Sequence, residues 1–234
     1  MNLLVAIKKN IPNTITCLNL LCGAVACIFA LKYREEVLWG IEAYEAAFVM
    51  IALAAVFDFL DGLVARVLNV VSAIGKELDS LCDCVSFGLA PGLIMYSLMQ
   101  ASLPDSWLCY VALIIPILGA VRLAKFNVDT RQTTSFIGMP IPANAIFWIG
   151  FASWYANNLN TPIWSVIPLV VIVSLLMVSN IPMFSLKVKN LNFKENYKVY
   201  FLVLAFFLFV FTSGLPGLAW TIIFYVLASI VDKN

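Results

Sequence analysis

Asp58-Phe-Leu-Asp61-Gly62-Leu-Val-Ala65-Arg66, followed after eight residues by Gly75-Lys-Glu-Leu-Asp79-Ser-Leu-Cys-Asp83, is the stretch on which the reading of this chain turns. It sets four carboxylates inside strongly apolar sequence. Acidic side chains in membrane-spanning segments are costly and rare, so each one points to function. Asp58, Asp61, Gly62, Ala65 and Arg66 fall at i, i+3, i+4, i+7 and i+8, and Gly75, Asp79 and Asp83 at i, i+4 and i+8. Each set shares one face of a helix. A turn through Leu68–Ile74 sets the two faces against each other, so the expectation is four carboxylates gathered at one end of a helix pair.

Outward from this stretch the chain is apolar. It is 63% hydrophobic and 12% charged, with mean hydropathy +0.98. Soluble domains carry about 25% charged residues. The composition therefore predicts an all-α, polytopic membrane helical bundle, since a hydrocarbon core of ~30 Å needs ~20 apolar residues per helix. Eight spans are expected, at roughly 11–32, 43–67, 77–99, 106–126, 140–158, 163–184, 198–213 and 215–231. Gly214-Leu-Pro216-Gly217 reads as a tight turn or a kink between the last two. Residues 1–10 read as a short amphipathic helix on the membrane surface. A cleaved signal peptide is the competing reading of the N-terminus. The first apolar run, long enough to span, argues against it. There is no internal repeat and no stretch polar enough for a soluble domain, so residues 1–234 are expected to form a single membrane domain.

The cationic residues set the orientation. Lys8, Lys9, Arg66, Lys76, Arg122, Lys125, Arg131, Lys187, Lys189, Lys194, Lys198 and Lys233 fall on one side of this map, which is 12 of the 14 Lys and Arg, and only Lys32 and Arg34 fall on the other. The positive-inside rule places both termini and the carboxylates at the cytoplasmic face of the cell membrane. Cys17, Cys22, Cys27, Cys82, Cys84 and Cys109 form no Cys-x-x-Cys pair and read as small buried residues. The chain has no histidine, so a general base would be a carboxylate first.

Four carboxylates in a poorly hydrated cleft repel one another and require protons or cations. Hard oxygen ligands select Mg²⁺, Mn²⁺ or Ca²⁺, and four carboxylates suit two divalent ions in the arrangement of two-metal phosphoryl chemistry. Gly62, Ala65 and Gly75 clear space on the acidic faces, either for a bulky ligand or for helix packing. Arg66 offers planar donors to a phosphate oxygen.

The pattern Asp-x-x-Asp-Gly-x-x-Ala-Arg, eight residues, Gly-x-x-x-Asp-x-x-x-Asp resembles the signature of the CDP-alcohol phosphatidyltransferase family. All eight of its positions are matched, by Asp58, Asp61, Gly62, Ala65, Arg66, Gly75, Asp79 and Asp83. The resemblance implies an enzyme that passes the phosphatidyl group of a CDP-lipid to an alcohol and releases CMP. It implies two Mg²⁺ or Mn²⁺ ions held by Asp58, Asp61, Asp79 and Asp83, with Asp83 also the base. It implies contacts to the CDP-lipid from Gly62, Arg66 and Ser72 and from the start of the first helix, Asn13-Thr14-Ile15-Thr16, with Asn13 and Thr16 foremost. From the residues alone, that tetrapeptide is equally a helix cap. A homodimer in the membrane, with no nucleic-acid partner, is implied as well.

The acceptor alcohol is carried elsewhere. Arg122-Leu-Ala-Lys125-Phe126-Asn127 and Phe136-Ile-Gly138-Met-Pro140-Ile-Pro142-Ala143-Asn144 resemble the membrane-integral phosphatidylserine synthase branch of the family. That resemblance implies CDP-diacylglycerol (or CDP-archaeol) and L-serine as substrates, with Arg122 and Lys125 binding the acceptor. Interfacial anchoring by a snorkelling side chain is the other reading of both residues. Gly138, Pro140 and Pro142 read as a shaped loop and helix start. Lys187–Lys198 reads as a basic loop near anionic headgroups. The alternatives are the same reaction with glycerol 3-phosphate, an inositol phosphate or an aminoalcohol, and, from another class, a cation or proton transporter. The transporter reading explains neither Gly62 nor Arg66.

Overall fold

The computed structural model describes residues 3–70, 72–129, 136–158, 160–184 and 193–231. The architecture is all-α, as the composition requires. Two short strand pairs accompany the helices. The chain divides into two compact units, Met1–Ala120 and Val121–Asn234.

In the first unit, α1 (Leu3–Lys32) is the element on which the others pack: α2 (Ala43–Val67), α3 (Ala73–Asp83) and α4 (Ala90–Ser102) all contact it. Small residues allow the close approach. Ala26 and Ala30 of α1 and Ala43, Ala47 and Ala54 of α2 are fully buried, as expected where membrane helices pack without a hydrophobic driving force between them. β1 (Glu36–Leu38) and β2 (Ile41–Glu42) close the α1–α2 connection as a hairpin. Trp39 and Gly40, both at positive φ, make its turn, the geometry a two-residue hairpin demands. The Glu42 amide donates to Glu45 Oε2 (3.1 Å) where α2 begins.

α3 starts at Ser72, whose Oγ accepts from the Gly75 amide at 3.0 Å. From Ala73 to Ser102 the backbone is one helical run, but Cys84–Leu89 is a π-helical turn. Pro91 follows at the start of α4. A proline ring collides with the carbonyl four residues back in a regular α-helix, and the wider turn relieves that collision. After a 3₁₀ stretch at Trp107–Leu113 comes α5 (Ile114–Val128).

In the second unit, α6 (Ile141–Asn157) packs on α9 (Gly217–Val231), α8 (Phe193–Ser213) on α9, and α7 (Val166–Val178) on α6. β3 (Phe136–Ile137) pairs antiparallel with β4 (Pro182–Met183). Gly138, at φ +77°, follows β3, and a Cβ there would strike the Met177 carbonyl. Its amide donates to the Ile181 carbonyl at 2.8 Å. Pro140 is the N-cap of α6, with Pro142 in its first turn, so the shaped-loop reading of this segment holds. Gly214-Leu-Pro216-Gly217 is a tight turn. Gly214 adopts φ +68°, and Gly217 is pressed on the Phe209 carbonyl.

Each of the eight expected spans coincides with a helical stretch. Five of these, Asn10–Lys32, Ala43–Val67, Ala73–Ser102, Trp107–Val128 and Asn196–Ser213, are long and apolar enough to cross a membrane, among the described residues. Those at 141–157, 163–178 and 217–231 are shorter. Pro162 and Pro216, which border the last two, are one reason. The N-terminal expectation needs correction. Residues from Leu3 onward are helical, but they continue unbroken into α1 with Pro12 inside it, and no separate surface helix is delimited. Arg131, Lys187, Lys189 and Lys233 lie outside the described residues. The six cysteines are free, and Cys22, Cys82 and Cys109 are buried.

Gly150 on α6 faces α9 so closely that a Cβ would meet the Ala219 backbone nitrogen. Overpacking typically costs about 1–3 kcal/mol, and each kcal/mol lowers Tm by roughly 2–4 °C in chains of this size. Gly150→Val is therefore expected to lower the melting temperature of the detergent-solubilised protein by about 5 °C. An unchanged melt would show that α6 and α9 do not pack through this glycine.

Candidate active site

α2 and α3 carry the four aspartates, and α1 braces both helices. One carboxylate oxygen from each of Asp58, Asp61 and Asp79 lies within 4.8 Å of the other two. Asp61 is buried at 6% exposure, and Asp58 and Asp79 are half-buried. Asp61 Oδ2 and Asp79 Oδ1 are buried and have no hydrogen-bond partner among the described residues. Two unit charges 4.8 Å apart repel by about 3 kcal/mol at an effective dielectric constant of ~20. Unsatisfied hard oxygens converging in this way fit a divalent cation, which would neutralise the repulsion and take up the orphaned lone pairs.

Asp83 stands apart from that trio. It is buried at 8% exposure. One of its oxygens is engaged by Asn19 of α1, whose Nδ2 donates to Asp83 Oδ1 at 3.2 Å.

Beside the carboxylates lies a cleft of about 290 Å³. Asn13, Thr16, Asp61, Gly62, Ala65, Arg66, Ser72, Gly75, Lys76 and Asp79 are among the residues that line it. Asn13, Thr16, Gly62, Arg66 and Ser72, the residues foremost among those expected to meet the CDP-lipid, are on this wall, and Thr14 and Ile15 are not among its lining residues. Three of the expected roles change in detail. Asn13 and Thr16 are not helix caps, because α1 begins at Leu3. The Thr16 hydroxyl donates back to the Pro12 carbonyl at 3.0 Å, which leaves its oxygen lone pairs to act as acceptors. Ser72 does cap α3 and lines the cleft as well. The two signature glycines also differ. A Cβ on Gly75 would meet Ser72 Oγ at 3.0 Å and Asn13 Oδ1 at 3.1 Å, whereas a Cβ on Gly62 would meet nothing nearer than Arg66 Nη2 at 3.9 Å. Gly75 is a packing residue and Gly62 an open wall. Arg66 Nε donates to the Gly62 carbonyl at 2.8 Å, which draws the guanidinium over that wall.

Arg122 and Lys125 belong to the second unit's own cavity, about 350 Å³, lined also by Asp129, Ile137, Met177, Ser179 and Asn180. Arg122 is only 4% exposed. Its guanidinium sits 5.1 Å from the Phe126 ring centroid, and its Nε has no hydrogen-bond partner among the described residues. Lys125 Nζ donates to the Val178 carbonyl at 3.3 Å. A buried cation with an unused donor suits an anionic group. The interfacial-anchor reading does not describe Arg122, which is buried.

Sequence reasoning missed Asn19. Its signal was a polar side chain in the apolar run of α1, three residues after Thr16 and hence on the same face.

Fold and cleft define a polytopic helical membrane protein built around a carboxylate cluster suited to divalent metal. The sequence profile of the CDP-alcohol phosphatidyltransferase family matches residues 9–181, and the chain belongs to that family. Among curated proteins it is similar to the CDP-diacylglycerol–serine O-phosphatidyltransferase of Mycobacterium leprae, at 33% identity over 94% of this chain and 73% of that protein. The protein of the same description in Helicobacter pylori strain 26695 is 32% identical over 94% of this chain and 89% of its own length. The one in Bacillus subtilis is 42% identical over 56% of this chain and 69% of its own.

The carboxylate geometry makes thermal stability a readout of metal binding. Mn²⁺ at a hundredfold excess over its Kd is expected to stabilise the protein by about 2.7 kcal/mol, visible as a rise in melting temperature relative to the chelator-treated sample. Asp79→Asn removes one repelling charge. It is expected to melt at or above the wild type in chelator and to lose most of the Mn²⁺ increment. A wild-type melt indifferent to Mn²⁺ and Mg²⁺ would remove the metal assignment.

Proposed function

We propose that this protein transfers the phosphatidyl group of CDP-diacylglycerol to the hydroxyl of L-serine and releases CMP, the reaction of a CDP-diacylglycerol–serine O-phosphatidyltransferase. The observation that carries this reading is the convergence of Asp58, Asp61 and Asp79 on a cleft lined by Gly62, Arg66 and Ser72. Relatives of that description in Mycobacterium leprae and Helicobacter pylori match it over 94% of its length.

Asp58, Asp61, Asp79 and Asp83 would hold two divalent ions, Mg²⁺ or Mn²⁺, which when bound supply positive charge to the pyrophosphate and to the departing CMP. The chain's own residues do the rest. Arg66 meets a phosphate oxygen with planar donors. Asn13, Thr16 and Ser72 face the nucleotide, and Gly62 lets it approach the α2 backbone. Asp83 takes the proton of the serine hydroxyl as its oxygen attacks the phosphatidyl phosphorus and the bond from phosphorus to the CMP oxygen breaks. Most of the rate gain in phosphoryl transfer comes from such positioning and electrostatics. Arg122 and Lys125 supply the cation for the serine carboxylate. The chain acts as one membrane domain and as a homodimer. Its carboxylates face the cytoplasmic side of the cell membrane, because 12 of the 14 Lys and Arg sort to that side.

The test is CMP release by purified protein with CDP-diacylglycerol or CDP-archaeol and a panel of alcohols. Release dependent on serine and on Mg²⁺ or Mn²⁺ is expected. Release with glycerol 3-phosphate or an inositol phosphate in place of serine would keep the family reaction and replace the acceptor. Asp83→Asn is expected to abolish turnover and leave CDP-lipid binding within about threefold. Loss of binding in that variant would make Asp83 a ligand only.

Two further variants separate the substrates. A Cβ in Gly62→Ala meets only Arg66 Nη2, at an ordinary contact distance of 3.9 Å, so the fold should be unaffected while KM for the CDP-lipid rises about tenfold. Arg122→Gln is expected to raise KM for serine at least tenfold with KM for the CDP-lipid unchanged. A parallel rise in both constants would place Arg122 in the scaffold instead.

A further inference from the structure

Asn19 lies in the middle of α1 and is completely buried. Its side-chain amide donates to Asp83 Oδ1 at 3.2 Å. The base of the proposed reaction is an ionised carboxylate, which only accepts hydrogen bonds, and the NH₂ end of Asn19 faces it. That leaves Asn19 Oδ1 buried with no partner among the described residues. A buried acceptor left unsatisfied is a local cost that folds tolerate mainly where function requires the geometry.

The same residue is fixed from its backbone. Ser86 Oγ donates to the Asn19 carbonyl at 3.1 Å. Ser86 is buried and sits in the π-helical turn that begins at Cys84, directly after Asp83. One turn further along α1, Gly23 lies against Ser86, and any Cβ there would overlap its side chain and meet its Cα at 2.8 Å. α1 and the π turn are therefore pressed together at Gly23, joined at the Asn19 carbonyl and joined again at the Asp83 carboxylate. π turns are frequent at functional sites. This one ends α3 at the aspartate that, in the proposed reaction, takes the proton.

We infer that Asn19 is a positioning residue for Asp83: its amide, held by the Ser86 bond and the Gly23 contact, pins one carboxylate oxygen so that the other is aimed at the acceptor hydroxyl. This rests on the proposed transferase reading. Asn19 acts through Asp83 and takes no proton itself. It sets the direction of the carboxylate, and a misplacement of about 1 Å in a reacting group can cost on the order of a hundredfold in rate.

The test compares wild type, Asn19→Leu and Asn19→Ser as purified full-length proteins in mixed micelles, each supplied with CDP-diacylglycerol, serine and Mn²⁺. Leucine keeps the volume and removes the donor. Serine keeps a shorter donor and leaves room for a water. CMP binding is measured on the same samples by calorimetry. For Asn19→Leu, kcat is expected to fall about a hundredfold while both KM values and the CMP affinity stay within threefold, and Asn19→Ser should recover at least tenfold of that loss. Wild-type kcat in Asn19→Leu overturns the inference. So does a loss of CMP binding that parallels the loss of rate in both variants, since a residue needed only for the fold or the nucleotide site moves them together. An inactive wild type with every acceptor would instead overturn the transferase reading.

Discussion

Like-charge repulsion among buried carboxylates is the constraint around which the first unit is arranged. Asp58, Asp61 and Asp79 bring oxygens within 4.8 Å of one another, and two of those side chains keep buried lone pairs unpartnered. Nothing in a helix pair favours this by itself. It persists because the helices are held by other contacts. α1 packs along α2, α3 and α4 through fully buried alanines, and the Ser72 cap starts α3 where Gly75 can admit Asn13. Rigid packing next to an uncompensated polar cluster is the arrangement expected where strain is kept for binding. The stability of the helix pair and its capacity to hold a cation are therefore opposite faces of one electrostatic term.

The signature residues do not share a single role. Gly62 and Gly75 look equivalent in the pattern, yet one faces open space and the other is filled by Ser72 and Asn13. Arg66 is tied to its own helix through Nε, so only the outer part of its guanidinium remains for a ligand. Asp83 lies outside the trio of converging oxygens and is bonded to Asn19. Three converging carboxylates and a fourth held by an amide form a more differentiated site than four equal ones.

Much of this was legible in the chain because hydropathy and helical spacing are local signals. All eight apolar stretches are helices, and the i, i+3 and i, i+4 spacings put Asp58, Asp61 and Asp79 together. The turn at Gly214–Gly217 was legible as a turn or a kink, since glycine and proline there allowed both. What was not legible depends on contacts distant in sequence. Asn19 and Asp83 are 64 residues apart, and only the packing of α1 on the π turn shows that one orients the other. The continuity of α1 was missed because residues 1–10 read as a separate surface helix, whereas one helix runs from Leu3 through Pro12 to Lys32. The span expected over 163–184 ends as a helix at Val178, and that earlier end was missed for a different reason. A hydropathy window counts flanking apolar loop residues that do not continue the helix.

The two units each carry a cavity, and the polar linings differ. The cleft of the first unit is walled by carboxylates, small residues and amide or hydroxyl oxygens, a composition that suits a nucleotide whose phosphates arrive with their cations. The cavity of the second unit is walled by a buried guanidinium, a lysine, Asp129 and the Val178 carbonyl that Lys125 meets. Arg122 stays charged at any accessible pH. Its burial against Phe126 removes the water that would otherwise compete for it. A carboxylate gains more from such a donor than from an exposed lysine, because a planar guanidinium in a dry site discriminates strongly between an acceptor that carries a carboxylate and one that lacks it. In the proposed reaction an aminoalcohol without the carboxylate would leave that buried cation without an anionic partner, which is the physical ground for proposing an amino-acid acceptor over its decarboxylated analogue.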